Sequence, residues 1–464
     1  MNKALAVSGP RLSAVFLLAF ASFSAPTSRA QDLRPCDPPA LAVWAQPGHG
    51  SPLQRLAIAP PETVFRSLKT RAPADFQPYF DRQNFWPLGS PKQPSPILNL
   101  NPSKDERGTP ILGVLYRAID RDSLRVASGD GARVFEIGRD YRLDELSGCI
   151  AGVEGRLGAP GEAEVQVDYR IATQRLDLVQ RDGAGRLSVK QGESALTCPA
   201  LPDPDPGTTA VAGIYVAPWR RNGAYVVTAE DILPIAPADP VAPIRPEALA
   251  RARAKLERGA ELRIAFLGDS ITLGAEAGAW WDRLWTPDNL GYPSRLVVAL
   301  RKRYPAANIT PIAAFQGGVT TQRAAALFDE RVRPAGADVI IVAFGVNDAD
   351  GPVGGAPRNP PDAYREQIRA VLRRAREIGA EALLVTPLQP SPMLRNGMAE
   401  RVPAYRAALL GLAREENAAV ADVYTEWLHL ARRGIPPFSQ LHNGYNHPGA
   451  AGHALYAEVL LRAF

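Results

Sequence analysis

Residues 338–348 read Asp338-Val339-Ile340-Ile341-Val342-Ala343-Phe344-Gly345-Val346-Asn347-Asp348. An uninterrupted apolar run closed by glycine is what a strand buried on both faces requires, as in the interior of a parallel sheet. The chain around it alternates strands and helices. Arg263–Leu267 reads as a second buried strand. Tyr292, Leu296, Val297, Leu300 and Tyr304 share one face of a helix. Ile309–Ala314 is a weaker strand because it contains Pro311. Tyr364, Ile368, Val371, Leu372 and Ile378 mark another amphipathic helix. Ala382–Thr386 and Ala418–Val423 are further strands, and Pro448–Phe464 is a terminal helix. This alternation predicts an α/β domain over residues 261–464, with a parallel sheet covered on both faces. Ligands in such folds sit beyond the carboxyl ends of the strands.

Upstream the pattern changes. Residues 235–260 read as a Pro-rich connector (Ile235–Pro246) and a helix (Glu247–Arg258). Residues 106–234 carry short strands instead. Val165–Ile171 alternates apolar and polar residues, and Arg175–Val179 does so weakly. Arg181-Asp182-Gly183 before Arg186–Val189 suggests a hairpin. Gly213–Val216 and Ala224–Val227 are two more candidate strands. Short strands at this spacing suggest a small β-rich, sandwich-like accessory domain. Residues 31–105 are rich in Pro and polar residues and read as an irregular lead-in, with the aromatics of Phe76–Trp86 available to pack on the next domain.

Residues 1–30 have the layout of a secretory signal peptide. Lys3 and Arg11 precede an apolar run from Leu12 to about Ala25, and Ser28-Arg29-Ala30 offers small residues before a cut at Gln31. The run is too short to span a bilayer comfortably, so the mature protein is expected in the periplasm or outside the cell, without stable membrane insertion. Export permits a disulfide. Of Cys36, Cys149 and Cys198, the last two lie in the strand-rich part, so Cys149–Cys198 is the expected pair. The 464 residues carry a net charge of +5 with no basic tract interleaved with aromatics, which argues against nucleic acid as a partner.

Three short segments each follow a strand of the α/β domain: Gly268-Asp269-Ser270-Ile271-Thr272, Gly317-Gly318-Val319-Thr320 and Gly345-Val346-Asn347-Asp348. A fourth, Asn443-Gly444-Tyr445-Asn446-His447-Pro448, precedes the last helix. The fold gathers them at one sheet edge. A serine at a strand-to-helix turn becomes a nucleophile when a base takes its proton, and His447 has the chemistry for that. The backbone N–H groups of Ser270 and Gly318 and the Asn347 amide are suitable donors to an oxyanion.

These blocks, in this order and spacing, resemble the SGNH/GDSL hydrolases over about Leu262–Phe464. The resemblance implies a flavodoxin-like three-layer α/β/α fold, no metal or cofactor, and hydrolysis of acyl esters. Ser270 would attack, Ser270, Gly318 and Asn347 would hold the oxyanion, and His447 would be the base. Two features depart from the family pattern, and one is that Phe315-Gln316-Gly317-Gly318 lacks the Asn often found at the start of the glycine block. The other is that the family usually carries an Asp three residues before the His, where this chain has Gly444. Asn443 can orient the ring in its place; a Ser-His dyad with a backbone carbonyl is a second reading; Asp422 or Glu426 reaching in is a third. Four of the five histidines fall between His429 and His453, but there is no H-E-x-x-H or cysteine partner to suggest a metal site.

Trp280, Trp281 and Trp285 follow the serine block. Their faces suit a sugar ring or an acyl group, and packing beneath the site is the competing reading. The combined expectation is an exported esterase acting on short acyl, chiefly acetyl, esters of a small molecule or polysaccharide. It resembles secreted carbohydrate esterases. A lipid esterase or lysophospholipase, an acyltransferase, and an inactive glycan-binding protein are the alternatives.

Overall fold

The computed structural model describes residues 58–74, 98–113, 115–221, 223–278, 283–352, 354–393 and 397–464. Sixteen strands are formed among them. The first eleven build three small antiparallel sheets, and the last five build one parallel sheet.

In the C-terminal domain, β12 (Leu262–Gly268), β13 (Ile309–Phe315), β14 (Val339–Ala343), β15 (Glu381–Val385) and β16 (Ala419–Ala421) lie in the order β13-β12-β14-β15-β16. Counted within the domain this is 2-1-3-4-5, the flavodoxin-like order. The central strands β12 and β14 are buried along their apolar runs, as an interior position demands. Pro311 sits on the edge strand β13, where a missing N–H costs least. Helices Tyr292–Arg303 and Ala450–Leu461 pack on each other, and so do Pro361–Glu377 and Met398–Glu416. The buried faces are the expected ones: Tyr292, Leu296, Val297 and Leu300 on one helix, Tyr364, Ile368, Val371 and Leu372 on another. The order reverses between β12 and β14, so the crevice for a ligand opens at the carboxyl ends of these two strands.

The N-terminal domain is antiparallel throughout. β1 (Thr63–Arg71), β7 (Glu164–Ala172), β3 (Ile119–Ser128) and β4 (Val134–Phe135) form one sheet. β2 (Leu98–Asn99), β6 (Cys149–Gly152) and β5 (Tyr141–Asp144) form a second. The two share a core that includes Leu100, Val126, Ile150, Val165 and Val167. A third sheet orders β11 (Ile232–Pro234), β10 (Thr209–Val216), β8 (Arg175–Arg181) and β9 (Leu187–Lys190). β8 and β9 make the expected hairpin.

Three expectations are corrected here. The lead-in is not irregular throughout, because β1 pairs with β7 along its whole length, from Thr63↔Ala172 to Arg71↔Glu164. Ala224–Val227 is not a strand; it makes one isolated bridge, Arg221↔Ala224, and the Arg221 side chain holds the segment in a turn through the Val226 carbonyl and Asp231. Cys149 and Cys198 are unbridged, buried thiols. Cys149 belongs to β6 of the small sheet, whereas the sulfur of Cys198 faces Gly449 of the C-terminal domain. Burial pushes both thiols up to about 12. The signal peptide, Cys36 and Phe76–Trp86 lie outside the described residues.

Candidate active site

β12 ends at Gly268, and Asp269 caps the short helix Ser270–Leu273 by accepting from the Ile271 N–H at 2.9 Å. The turn leaves the Ser270 hydroxyl at the carboxyl edge of the sheet, half-buried. Burial pushes the Asp269 carboxyl up to about 7, against the pull of the Ile271 N–H. β14 ends in Gly345, and Asn347 follows on the helix Val346–Ala349. The Asn347 amide donates one hydrogen to the Val319 carbonyl at 3.0 Å. An amide has a second hydrogen, which remains for a ligand. Gly317 and Gly318 follow β13. Arg358 donates to the Gly318 carbonyl at 3.1 Å and fixes that peptide. Asp348, beside Asn347, accepts from the backbone and hydroxyl of Thr321 and from Asn359, tying the second and third segments together. Burial raises its carboxyl above the usual range.

The fourth segment is a loop closed on itself. The His442 N–H donates to the His447 carbonyl at 2.7 Å. The buried side-chain oxygen Oδ1 of Asn443 accepts three backbone N–H groups, from Tyr445, Asn446 and His447, at 2.9–3.0 Å. The result is a rigid cup that aims the His447 ring at the serine. Nε2 of His447 lies 2.9 Å from the Ser270 hydroxyl.

The other ring nitrogen has a carboxylate partner. Nδ1 of His447 lies 2.7 Å from a carboxylate oxygen of Glu276, which is 1% exposed. With the proton on Nδ1, Nε2 is free to accept from Ser270. Glu276 therefore occupies the place that three sequence readings offered to other groups. The Asn443 side chain is spent on Asn446 and on the loop backbone, and acts on the ring only through the loop it builds. Asp422 is engaged by Thr386 and Arg406. Glu426 is engaged by Val241, Arg433 and Arg462. Glu276 stands only six residues after the serine, at a φ of +64°, in a tight turn rather than in any of the four segments. One sequence signal pointed to it: it is the only charged residue in Ile271–Ala279, a stretch otherwise of small, apolar or hydroxyl residues.

Among the described residues the remaining histidines are dispersed. His442 is hydrogen-bonded to Thr197 at 3.0 Å, and His429 lies beside Glu426. His453 is buried, accepts from the Tyr292 N–H at 3.2 Å, and is pushed down to about 3 by burial, which keeps it neutral. The half-buried ring of Trp285 stacks on Phe266 of β12 at 5.4 Å, so one face packs on the core, which is the competing reading given above. Trp280 and Trp281 lie outside the described residues.

Residues 266–455 match the model of the GDSL-like Lipase/Acylhydrolase family. No curated protein matches the chain. Among solved structures, an acetylxylan esterase from Geobacillus stearothermophilus is similar at 20% identity, over 44% of this chain and 93% of that one, with a TM-score of 0.37. An α/β hydrolase enzyme from the metagenome of Lake Arreo, Spain, is similar at 22% identity over 44% and 94%, with a TM-score of 0.36. A two-domain esterase active on acetylated mannans is similar at 23% identity over 46% of this chain and 52% of that one, with a TM-score of 0.37.

Proposed function

We propose, on the premise that residues 266–455 form a GDSL-like lipase/acylhydrolase domain, that this protein is an exported serine esterase that removes short acyl groups, chiefly acetyl, from a carbohydrate. The observation that carries the reading is the line of contacts Ser270–His447–Glu276, at 2.9 and 2.7 Å. His447 takes the Ser270 proton at Nε2 as the hydroxyl oxygen attacks the ester carbonyl. Glu276 stabilises the imidazolium that forms. The oxyanion is received by the N–H groups of Ser270 and Gly318 and the second hydrogen of the Asn347 amide. His447 then protonates the departing alcohol, leaving an acyl group on Ser270. Water, deprotonated by His447, releases the acid and restores the serine. Glu276 at Nδ1 of His447 also weighs against the inactive glycan-binding alternative.

A carbohydrate substrate is supported by the accessory domain. It carries a polar cleft of about 300 Å³ whose walls include Asp120, Glu145, Trp219, Arg220 and Tyr225. Aromatic faces beside hydrogen-bonding charges suit a sugar ring. Trp219 also lines a smaller cavity whose wall includes Gly444, so it links the cleft to the loop that carries His447. Export rests on the layout of residues 1–30, and N-terminal sequencing of the mature protein is expected to begin at Gln31.

The test is hydrolysis of p-nitrophenyl acetate and octanoate by the purified protein and by Ser270→Ala, followed by acetylated polysaccharides. Acetate turnover that falls by at least ~10³-fold in the variant is the expected result. A preference for octanoate would transfer the reading to a lipid esterase. Turnover that survives Ser270→Ala would sink it.

A further inference from the structure

The acid of the relay is held by the other domain. One carboxylate oxygen of Glu276 faces His447, and the other accepts a hydrogen bond from the backbone N–H of Leu112. Leu112 belongs to the segment that joins β2 to β3 in the N-terminal domain. That segment is itself fixed. The Ile111 N–H donates to the Ser103 carbonyl at 2.9 Å, and the Leu115 N–H to the Asn101 side chain at 2.8 Å. Gly113 comes so close to the His447 loop that a Cβ on it would lie 2.4 Å from the Asn443 carbonyl oxygen. The same domain grips the outer side of that loop. Thr197 is bonded to His442 at 3.0 Å, and Gln440 donates to the Pro199 carbonyl at 2.9 Å.

We infer that the N-terminal domain is a working part of the catalytic centre, with the Leu112 N–H as the positioning group that sets the Glu276 carboxylate against His447. The inference rests on the reading of Ser270, His447 and Glu276 as the ester-cleaving relay. A carboxylate held only through one oxygen on the imidazole, with the other unbonded, is free to rotate and to take up water. A backbone donor locks its plane, and the backbone of a pinned segment does so at little entropic cost. The group acts on the relay and not on the substrate, so its loss lowers kcat and leaves KM in place.

The experiment uses the full chain. Leu112→Pro removes the N–H. Its kcat on p-nitrophenyl acetate is expected to fall ~10- to 100-fold, as for loss of one hydrogen bond to a charged group, with KM changed by less than about twofold. Leu112→Ala, which keeps the N–H, recovers most of that loss. The deciding comparison is made with Glu276→Gln. Once the carboxylate is gone, adding Leu112→Pro lowers kcat by less than about twofold further, because both changes strike one unit. Gly113→Ala displaces the same segment without removing a donor, and serves if Leu112→Pro does not fold. It is expected to show the same loss in kcat and the same non-additivity with Glu276→Gln. A folded Leu112→Pro or Gly113→Ala with unaltered kcat overturns the inference, and so does a loss that is as large in the Glu276→Gln background. Activity that survives both Ser270→Ala and Glu276→Gln overturns the relay itself, and is thereby told apart from a failure of the Leu112 contact alone.

Discussion

Asp269 stands between the strand that ends at Gly268 and the serine, and its burial sets a pH dependence. The carboxyl is pushed from its ordinary value of 3.8 up to about 7 by removal from water. A carboxyl whose value is raised on folding favours the folded state while it is protonated. Its contribution is complete below about pH 4 and is lost as pH rises through about 7, because the unfolded chain releases the proton earlier. Asp269→Asn keeps an oxygen to accept from the Ile271 N–H and has no charge to bury. Relative to the parent, the variant is therefore expected to gain about 2–3 kcal/mol of stability between about pH 5 and pH 8. Urea unfolding of both proteins at the two pH values checks it, and a difference that does not change with pH would refute the argument. Asp269 and Ser270 were legible in the sequence because their neighbours in the chain are their neighbours in the site. Glu276 was not. Its role depends on a turn with positive φ and on a loop some 170 residues away, neither of which a motif encodes. Asn443 was misread for a related reason. A buried amide next to a histidine can serve the ring or the backbone, and only the three N–H groups converging on its oxygen decide between them.

Among the elements, the parallel strands were legible and the antiparallel ones were less so. A strand covered on both faces must be apolar throughout, and β14 announces itself by composition alone. β8 does not. Its Arg175-Leu176-Asp177-Leu178-Val179 alternates weakly, which suggests one wet face, yet every residue from Arg175 to Gln180 is buried. Arg175 and Asp177 lie on the same face, two residues apart, and form an ion pair at 2.7 Å with both side chains 1% exposed. The guanidinium also donates to the carbonyls of Ala59 and Pro60, which stitches the segment before β1 onto β8. The pair is thus a clip between elements more than 100 residues apart. Asp177→Ala would leave the Arg175 charge buried without its counter-ion. It is expected to destabilise the protein by about 3–5 kcal/mol, with little change in KM on p-nitrophenyl acetate. Thermal unfolding beside kinetics measures both, and a loss below about 1 kcal/mol would mean that water reaches Arg175 and the clip is loose.

For the whole molecule, the question is whether two domains behave as two bodies. Their contact is built from backbone as well as side chains. The Ile235 N–H donates to the Val211 carbonyl, and the Ala236 N–H to the Arg432 carbonyl, so the connector joins β10 to the C-terminal domain. Tyr215 of β10 meets Phe438 edge to face at 5.3 Å, within a cluster that also holds Leu176, Ala217 and Ile435. At the centre Gly213 and Gly434 touch. A Cβ on Gly213 would lie 1.9 Å from the Gly434 carbonyl oxygen, a contact between backbones that no rotamer can relieve. Domains joined by a small polar interface move independently, whereas a tight apolar and backbone-bonded seam couples their stability. The intact protein is therefore expected to unfold in a single calorimetric transition. Gly213→Ala must push β10 away from Gly434. It is expected to lower the melting temperature by several degrees, as a loss of about 2 kcal/mol would in a protein of this size. It also lowers kcat, because the same displacement loosens the segments that hold His442 and Glu276. Two well-separated transitions in the parent, or a Gly213→Ala protein with parental melting temperature and kcat, would show that the seam does not couple the domains.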